Sequence, residues 1–273
     1  CNDFLQVSAT NQKEMDKSFT TYDELRLATA YLYMKPWFGF HSTRLFAMGD
    51  ARGNNIYGDN NNETGYAPYC LFTDKPNTPG LADAWNSLYI VVTQADYIIN
   101  DYAPQGRQHF SEAQANACEG EARFMRAAAY YYLASYWQNP IAHTEAFNMA
   151  PTRFEDVIRY GIRDLEYAAE WLPLADADGR VTRYSALGLL ARYYVTLAAY
   201  ARGGHCTQAT MDYYEASGSH DLADILYDLA KEAAGEVILA QNRYGLMEEY
   251  EEIFRVQNNN CKEVLFALQP LQG

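Results

Sequence analysis

The sequence predicts an all-α assembly of stacked helix pairs, and three observations carry that prediction. Apolar residues recur at three-and-four spacing along six separate stretches, the mark of helices that bury one face. Helix-start signals introduce three of these runs. The buried faces mix alanine with large rings, so neighbouring helices can approach closely while the rings fill the gaps beside them. No strict repeat of tetratricopeptide length is present, so a regular solenoid does not follow from periodicity alone.

In chain order the helices are expected near 22–34, 81–101, 112–137, 153–172, 183–201 and 221–241. Thr21-Tyr-Asp-Glu24, Ser111-Glu-Ala-Gln114 and Thr152-Arg-Phe-Glu155 fit the capping box, in which a hydroxyl and a carboxyl or amide satisfy orphan N–H groups reciprocally. The second helix sets Trp85, Leu88, Tyr89, Val92, Ala95 and Ile99 on one face, which assigns Trp85 to the core. The third sets Ala122, Met125, Ala129, Tyr132, Leu133 and Tyr136 on one face before Pro140 stops it. Ile158, Ile162, Leu165, Ala169 and Leu172 line the fourth. Leu187, Leu190, Ala191, Tyr194, Leu197 and Ala198 line the fifth, and Leu226, Leu229, Ala230, Ala233 and Val237 the sixth. Arg123 can pair with Glu119 one turn back and Arg126 can bridge to a neighbouring helix, and these two with Arg192 are expected to form structural ion pairs and not ligand contacts.

Two stretches break the helical pattern. Residues 36–80 are rich in Pro, Gly, Asn and rings and form an excursion too long for a plain linker. Such segments are functional or disordered, and the ring content argues against disorder. Glu263-Val-Leu-Phe-Ala-Leu-Gln269 reads as a strand after the Asn258–Asn260 turn, although little else offers it a partner.

With 273 residues, 49% hydrophobic and 15% aromatic, the chain can bury a sizeable core. Its 24 tyrosines suit helix interfaces and wet binding surfaces alike, each burying a ring and keeping a polar tip. A formal net charge of −14 repels phosphate backbones and anionic lipid, so neither nucleic acid nor electrostatic membrane adsorption is expected. No apolar run approaches the ~20 residues of a membrane span, so attachment to a membrane would be covalent. Cys1 is the candidate for that: a mature lipoprotein opens on an acylated cysteine, and Asn2 and Asp3 resemble the acidic tag of surface-exported ones. The other reading is a chain that simply starts there. Cys70, Cys118, Cys206 and Cys261 are spaced too irregularly for zinc or redox motifs. They leave disulfides undecided, and Cys118 reads equally as a small buried hydrophobe.

No nucleophile elbow, P-loop, H-E-x-x-H or dinucleotide fingerprint occurs, so no enzyme and no cofactor are expected. His41, His109, His143, His205 and His220 never fall at i,i+4, and no metal site is expected. Carboxylates abound, but runs such as Glu248, Glu249, Glu251 and Glu252 read as a solvated face rather than a glycosidase pair. Asp59–Glu63 fails the EF-hand template, with Thr64 and Cys70 where Gly and Glu belong, and reads as a solvated turn. The sharper reading is ligand binding by the 36–80 excursion. Trp37, Phe38, Tyr57, Tyr66 and Tyr69 offer rings for the apolar face of a sugar. Asp50, Arg52, Asn54, Asn55 and Asn60 offer planar polar groups for its vicinal hydroxyls. The alternative is that most of these rings plug the excursion onto the helices.

Four segments in order resemble the SusD/RagB family of outer-membrane nutrient-binding lipoproteins: Cys1 to Gln6, Gly120 to Pro140, Thr152 to Pro173 and Gly179 to Arg192. The second is close to the family's Gly-Glu-Ala-Arg-Phe helix; the third matches at Arg153, Val157, Asp164, Leu165, Ala168 and Leu172-Pro173. Tyr244, Leu246, Tyr250, Phe254 and Glu263–Phe266 follow in step. Jointly they cover nearly the whole chain and are specific, whereas each alone is weak. Gln138-Asn139 departs from the Gly-Asp or Gly-Gly pair common there. The resemblance implies tetratricopeptide-like helix pairs in a single domain over residues 1–273, corresponding to the N-terminal half of proteins about twice as long. It implies a lipid-anchored protein of the bacterial cell surface that binds nutrient oligosaccharides and passes them to a SusC-type TonB-dependent β-barrel transporter. The RagB branch delivers peptides instead, which is the alternative; a glycan-degrading enzyme and a structural module are the remaining rivals.

Overall fold

The computed structural model describes residues 19–34, 37–42, 44–56, 65–143, 150–240 and 243–268; Cys1 and Asp59–Glu63 lie outside them. Helix α1 (Tyr22–Ala30) opens on the expected capping box. The Thr21 hydroxyl accepts from the Glu24 N–H at 3.3 Å, and the Glu24 carboxylate accepts from the Thr21 N–H at 3.1 Å. A 3₁₀ turn, Tyr31–Tyr33, completes the first expected helix. Among its described residues the 36–80 excursion holds no long helix, yet these are not irregular throughout. It winds into α2 (Phe38–His41), α3 (Arg44–Phe46, extended by a π turn over Ala47–Ala51) and α4 (Ala67–Cys70). Gly80 ends it at φ 89°, and the Arg44 guanidinium lies where a side chain on Gly80 would stand.

Helix α5 (Leu81–Tyr97) then runs through a π turn (Ile98–Tyr102) into α6 (Ala103–Gly106). After it come α7 (Glu112–Trp137), α8 (Phe154–Trp171), α9 (Arg183–Arg202), α10 (Gln208–Tyr213) and α11 (Leu222–Leu239). All six expected helices form, with ends shifted by a few residues. The long helices pack antiparallel in sequence, as tetratricopeptide-like pairs do. Trp85 near the start of α5 meets Trp137 at the end of α7, while Asp96 meets Arg126. Phe154 at the start of α8 meets Tyr200 late in α9, and Arg183 and Arg202 of α9 meet Glu236 and Asp224 of α11.

Helix α7 is the central element. Ala122, Met125, Ala129 and Leu133 are buried as the periodicity requires, and each large apolar side chain so covered contributes about 1.5–3 kcal/mol. Small residues set the spacing. A methyl on Gly161 of α8 would overlap the Tyr193 ring of α9, and the Tyr193 hydroxyl donates across to the Ala127 carbonyl of α7 at 2.6 Å.

Ion pairs run through this core. Arg126, only 3% exposed, donates to Asp164 at 2.8 and 2.7 Å and to Asp96 at 2.6 Å. Arg123 pairs with Glu119 at 2.7 Å and with Asp164 at 2.9 Å, so these two take the structural roles expected of them, whereas Arg192 meets no carboxylate among the described residues and lies 5.4 Å from the Tyr131 ring centroid. Arg107 joins at Glu119. On another side of α7, Glu121 accepts from Arg180 at 2.6 Å, from Arg26 at 3.2 Å and from the Tyr33 hydroxyl at 2.7 Å. Arg26 also grips Asp176 in a fork at 2.7 and 2.8 Å.

Three expectations are corrected. The Thr152 capping box does not form, because Glu155 turns inward. Its carboxylate accepts from the Thr207 N–H at 2.9 Å and the Thr210 hydroxyl at 2.7 Å, and the Thr152 hydroxyl accepts from the Ala142 N–H at 3.0 Å. The predicted strand at 263–269 is also absent: among the described residues no strand exists to pair with it. The segment lies on the helices instead, with the Leu265 carbonyl accepting from the Ser185 hydroxyl at 2.6 Å and Phe266 edge-on to Phe124 at 5.2 Å. Trp85, assigned to the core, is only partly covered, because it stands at the end of its helix pair. Cys118, Cys206 and Cys261 are unbridged thiols. Cys118 is fully buried, and burial pushes its thiol up to about 12.

Candidate ligand-binding site

Because α5 and α7 run antiparallel, the first turn of one and the last turn of the other share an end of the molecule, and both carry rings there. Trp85 and Trp137 meet edge to face with centroids 5.3 Å apart, and Tyr136 meets Trp137 at 6.2 Å. The chain stops α7 abruptly. Gln138 takes φ 60°, the Asn139 side chain accepts from the Phe154 N–H at 3.1 Å, and Pro140 follows. The Tyr89 hydroxyl then clamps the turn, accepting from the Ile141 N–H at 2.7 Å and donating to the Ile141 carbonyl at 2.8 Å. The rings are therefore held on rigid elements.

Facing them are Arg52, Tyr69 and Asp74–Pro76 of the excursion. Between lies a cavity of about 790 Å³ lined by Trp85, Tyr136, Trp137, Tyr69, Arg52 and Asp74, with Lys75 at its wall. Small-molecule sites commonly span ~300–1,000 Å³. Arg52 pairs with Asp74 at 2.6 Å and its guanidinium sits 5.1 Å from the Phe72 ring centroid, which fixes this polar wall. Burial, above all, raises the Tyr136 and Tyr69 hydroxyls above the ordinary tyrosine range, so both stay protonated as donors at neutral pH. The Tyr69 hydroxyl has no hydrogen-bond partner among the described residues. Aromatic faces beside donors and acceptors in forked geometry can stack on a ring and hydrogen-bond its substituents. No group of three His, Cys, Asp or Glu suited to a metal occurs among the described residues.

Of the ten residues singled out in the excursion, Arg52 and Tyr69 line this cavity together. Asp50, Asn54 and Asn55 build the turn that precedes it. The Asp50 carbonyl accepts from the Asn55 N–H at 2.8 Å, its carboxylate from the Asn55 amide at 3.4 Å, and Asn54 takes φ 63°. Tyr66 is half-buried against the core. Trp37 is buried at 3% exposure, its indole N–H donating to the Leu32 carbonyl at 2.8 Å. It borders a separate recess of about 500 Å³ with His41, Tyr131, Tyr132, Arg192 and Phe266. Tyr57, Asn60 and the Phe38 side chain lie outside the described residues. Trp85, Tyr136, Trp137, Asp74 and Lys75 were not singled out as site residues. A tryptophan just before a helix-stopping Asn-Pro was the available signal for Trp137, since a terminal ring has no further turn to cover it.

Comparison with known proteins agrees with the architecture. The SusD-like profile described as starch-binding associating with outer membrane matches residues 3–195. A SusD-like protein of Bacteroides ovatus is 31% identical over 276 aligned positions, covering 98% of this chain and 47% of that protein. A crystal structure with xylogluco-oligosaccharide superposes with a TM-score of 0.71 at 31% identity, covering 90% of this chain and 46% of the other. A laminarin-binding SusD-like protein shares the fold, with a TM-score of 0.69 at 18% identity over 89% of this chain and 50% of the other. The chain spans about half the length of these relatives. No helix among the described residues is long and apolar enough to cross a membrane. With the profile spanning most of the sequence and the same antiparallel helix pairs in the solved relatives, the chain belongs to the SusD-like family.

Proposed function

We propose that this protein captures oligosaccharides in the cavity between the α5–α7 end and the wall formed by Arg52, Tyr69 and Asp74–Pro76, without performing chemistry on them. The observation that carries the reading is the pairing of Trp85, Tyr136 and Trp137 with a fixed Arg52–Asp74 wall across about 790 Å³. Rings cover the apolar face of a pyranose, and the polar wall answers its hydroxyls. An uncharged, hydroxyl-rich ligand also suits a chain of net charge −14. The relative crystallised with a xylogluco-oligosaccharide supports the ligand class. On this reading residues 1–273 act as one SusD-like domain, tethered to the outer membrane of a bacterial cell surface through lipid on Cys1. The captured glycan passes to a SusC-type TonB-dependent β-barrel transporter. The family's association with the outer membrane supports that setting.

Calorimetry against a glycan panel and an oligopeptide pool tests the ligand class. Binding to one or more glycans is expected, and binding to peptides alone would replace this reading with the RagB-like one. Trp137→Ala, folded by circular dichroism, should weaken glycan binding about 10- to 100-fold, the loss of roughly 1.4–2.8 kcal/mol. An unchanged affinity removes the cavity from the site. Released sugar on incubation with the purified protein would make it an enzyme. Metabolic labelling with a fatty-acid analogue, lost in Cys1→Ser, tests the anchor, and co-purification of a β-barrel from outer membranes tests the partner.

A further inference from the structure

A smaller recess between α8 and α10 is lined by Thr152, Asp156, Arg159, Tyr160, Arg163 and Tyr213 and encloses about 190 Å³. Arg159 and Arg163 stand one helical turn apart, an arrangement in which like charges repel unless something between them answers both. In a chain with 35 acids against 21 bases, how few carboxylates answer them among the described residues stands out. Arg163 meets no carboxylate among the described residues. Arg159 donates to the Thr210 hydroxyl at 3.3 Å, and its nearest carboxylate is Asp156 at 3.9 Å. Asp156 is itself held by Arg153 at 2.8 Å. The Arg159 Nε is buried with no acceptor among the described residues, a costly state for a guanidinium N–H. Each guanidinium also has a ring beside it: Arg159 lies 4.6 Å from the Tyr213 centroid and Arg163 5.6 Å from that of Tyr160.

We infer that this recess binds a carboxylate carried on a single small ring, the chemistry of a hexuronate. Two guanidinium forks against the one carboxylate of Asp156 leave the lining net positive, and a planar oxyanion matches their geometry. The tyrosine walls provide flat apolar cover for the ring that bears it. The volume lies below the ~300 Å³ at which drug-sized ligands begin, so the occupant is one ring and not a chain. This assignment is independent of the ring-lined cavity.

Titration of the full-length protein with sodium glucuronate tests the assignment, with glucose, acetate and inorganic phosphate as separate arms. Glucuronate should bind, with glucose and acetate each at least about tenfold weaker because each lacks half of the recognised chemistry. Arg163 is exposed, so Arg163→Gln should keep its unfolding midpoint while losing about tenfold or more in glucuronate affinity; Arg163→Lys should retain part of it. Trp137→Ala should leave glucuronate binding unchanged. The inference falls if glucuronate does not bind, if Arg163→Gln binds it as tightly, or if phosphate binds as well as glucuronate. It also falls if Trp137→Ala abolishes the binding, since the ligand would then sit in the larger cavity.

Discussion

The middle of α7 and its C-terminal end are built from the same alphabet of alanines, rings and charges, yet they do opposite things. Between Glu119 and Arg126 every charge on the helix is answered by another element, through Asp164, Asp96, Arg107, Arg180 and Arg26. From Tyr131 to Trp137 the helix presents half-buried rings whose neighbours are mostly other rings, among them Phe40, His41, Trp85 and Tyr193, with Tyr132 and Tyr136 parallel at 6.5 Å. A buried charge tolerates one arrangement of partners, because removing either leaves an uncompensated ion. A half-covered ring loses little when a neighbour is exchanged for a ligand. The middle therefore fixes the frame, and the C-terminal end keeps surface uncommitted for binding.

The sharpest way to break that contrast is Asp164→Ala, which leaves Arg126 with Asp96 alone and Arg123 with Glu119 alone and should cost about 3–5 kcal/mol in denaturant unfolding. A loss under about 1 kcal/mol would mean that the frame does not depend on its ion pairs. Gly161→Ala forces the Tyr193 ring away and should cost about 1–3 kcal/mol by the same measurement. Acidification probes the frame without mutation. Burial pushes the Glu155 carboxyl up, but hydrogen bonds from Thr207 and Thr210 outweigh it, and the net pKa is lowered. Asp176 behaves likewise under the Arg26 fork. Groups depressed in the folded state stabilise it above their unfolded pKa of about 4, and that stabilisation is lost as pH falls through the lower folded value. Stability should accordingly hold from neutral pH to about 5 and decline below about 4; a flat profile into that range would contradict the hydrogen bonds that hold these carboxylates ionised. At the ring end, Arg52→Ala removes a solvent-facing pair and should change stability by no more than about 1 kcal/mol while weakening glycan binding.

The frame was largely legible and the cavity was not, for one physical reason. Helices 22–34 through 221–241 announce themselves because burial imposes a period on the local sequence. Which end of a helix pair stays open is decided by residues far away, as where Trp85 meets Trp137. Trp85 therefore reads as core by its period and lines a cavity by its location. The i,i+4 pair of Arg123 and Glu119 was readable, whereas Asp164, some forty positions on, was not visible as its partner. Glu155 misled for a related reason: its spacing from Thr152 fits a capping box, but a buried N–H and hydroxyl from α10 compete for it more strongly. Val264 to Leu268 is a short apolar run of strand length, yet such a run supplies no second strand to accept its hydrogen bonds.

One oxygen atom has a reach beyond its size. The Tyr89 hydroxyl serves both polar groups of Ile141, and the chain on either side of that peptide carries Trp137 to the ring-lined cavity and Ala142 to the arginine-lined recess. A phenylalanine at 89 would orphan a donor and an acceptor at once, so two pockets with unrelated chemistry share a single rivet.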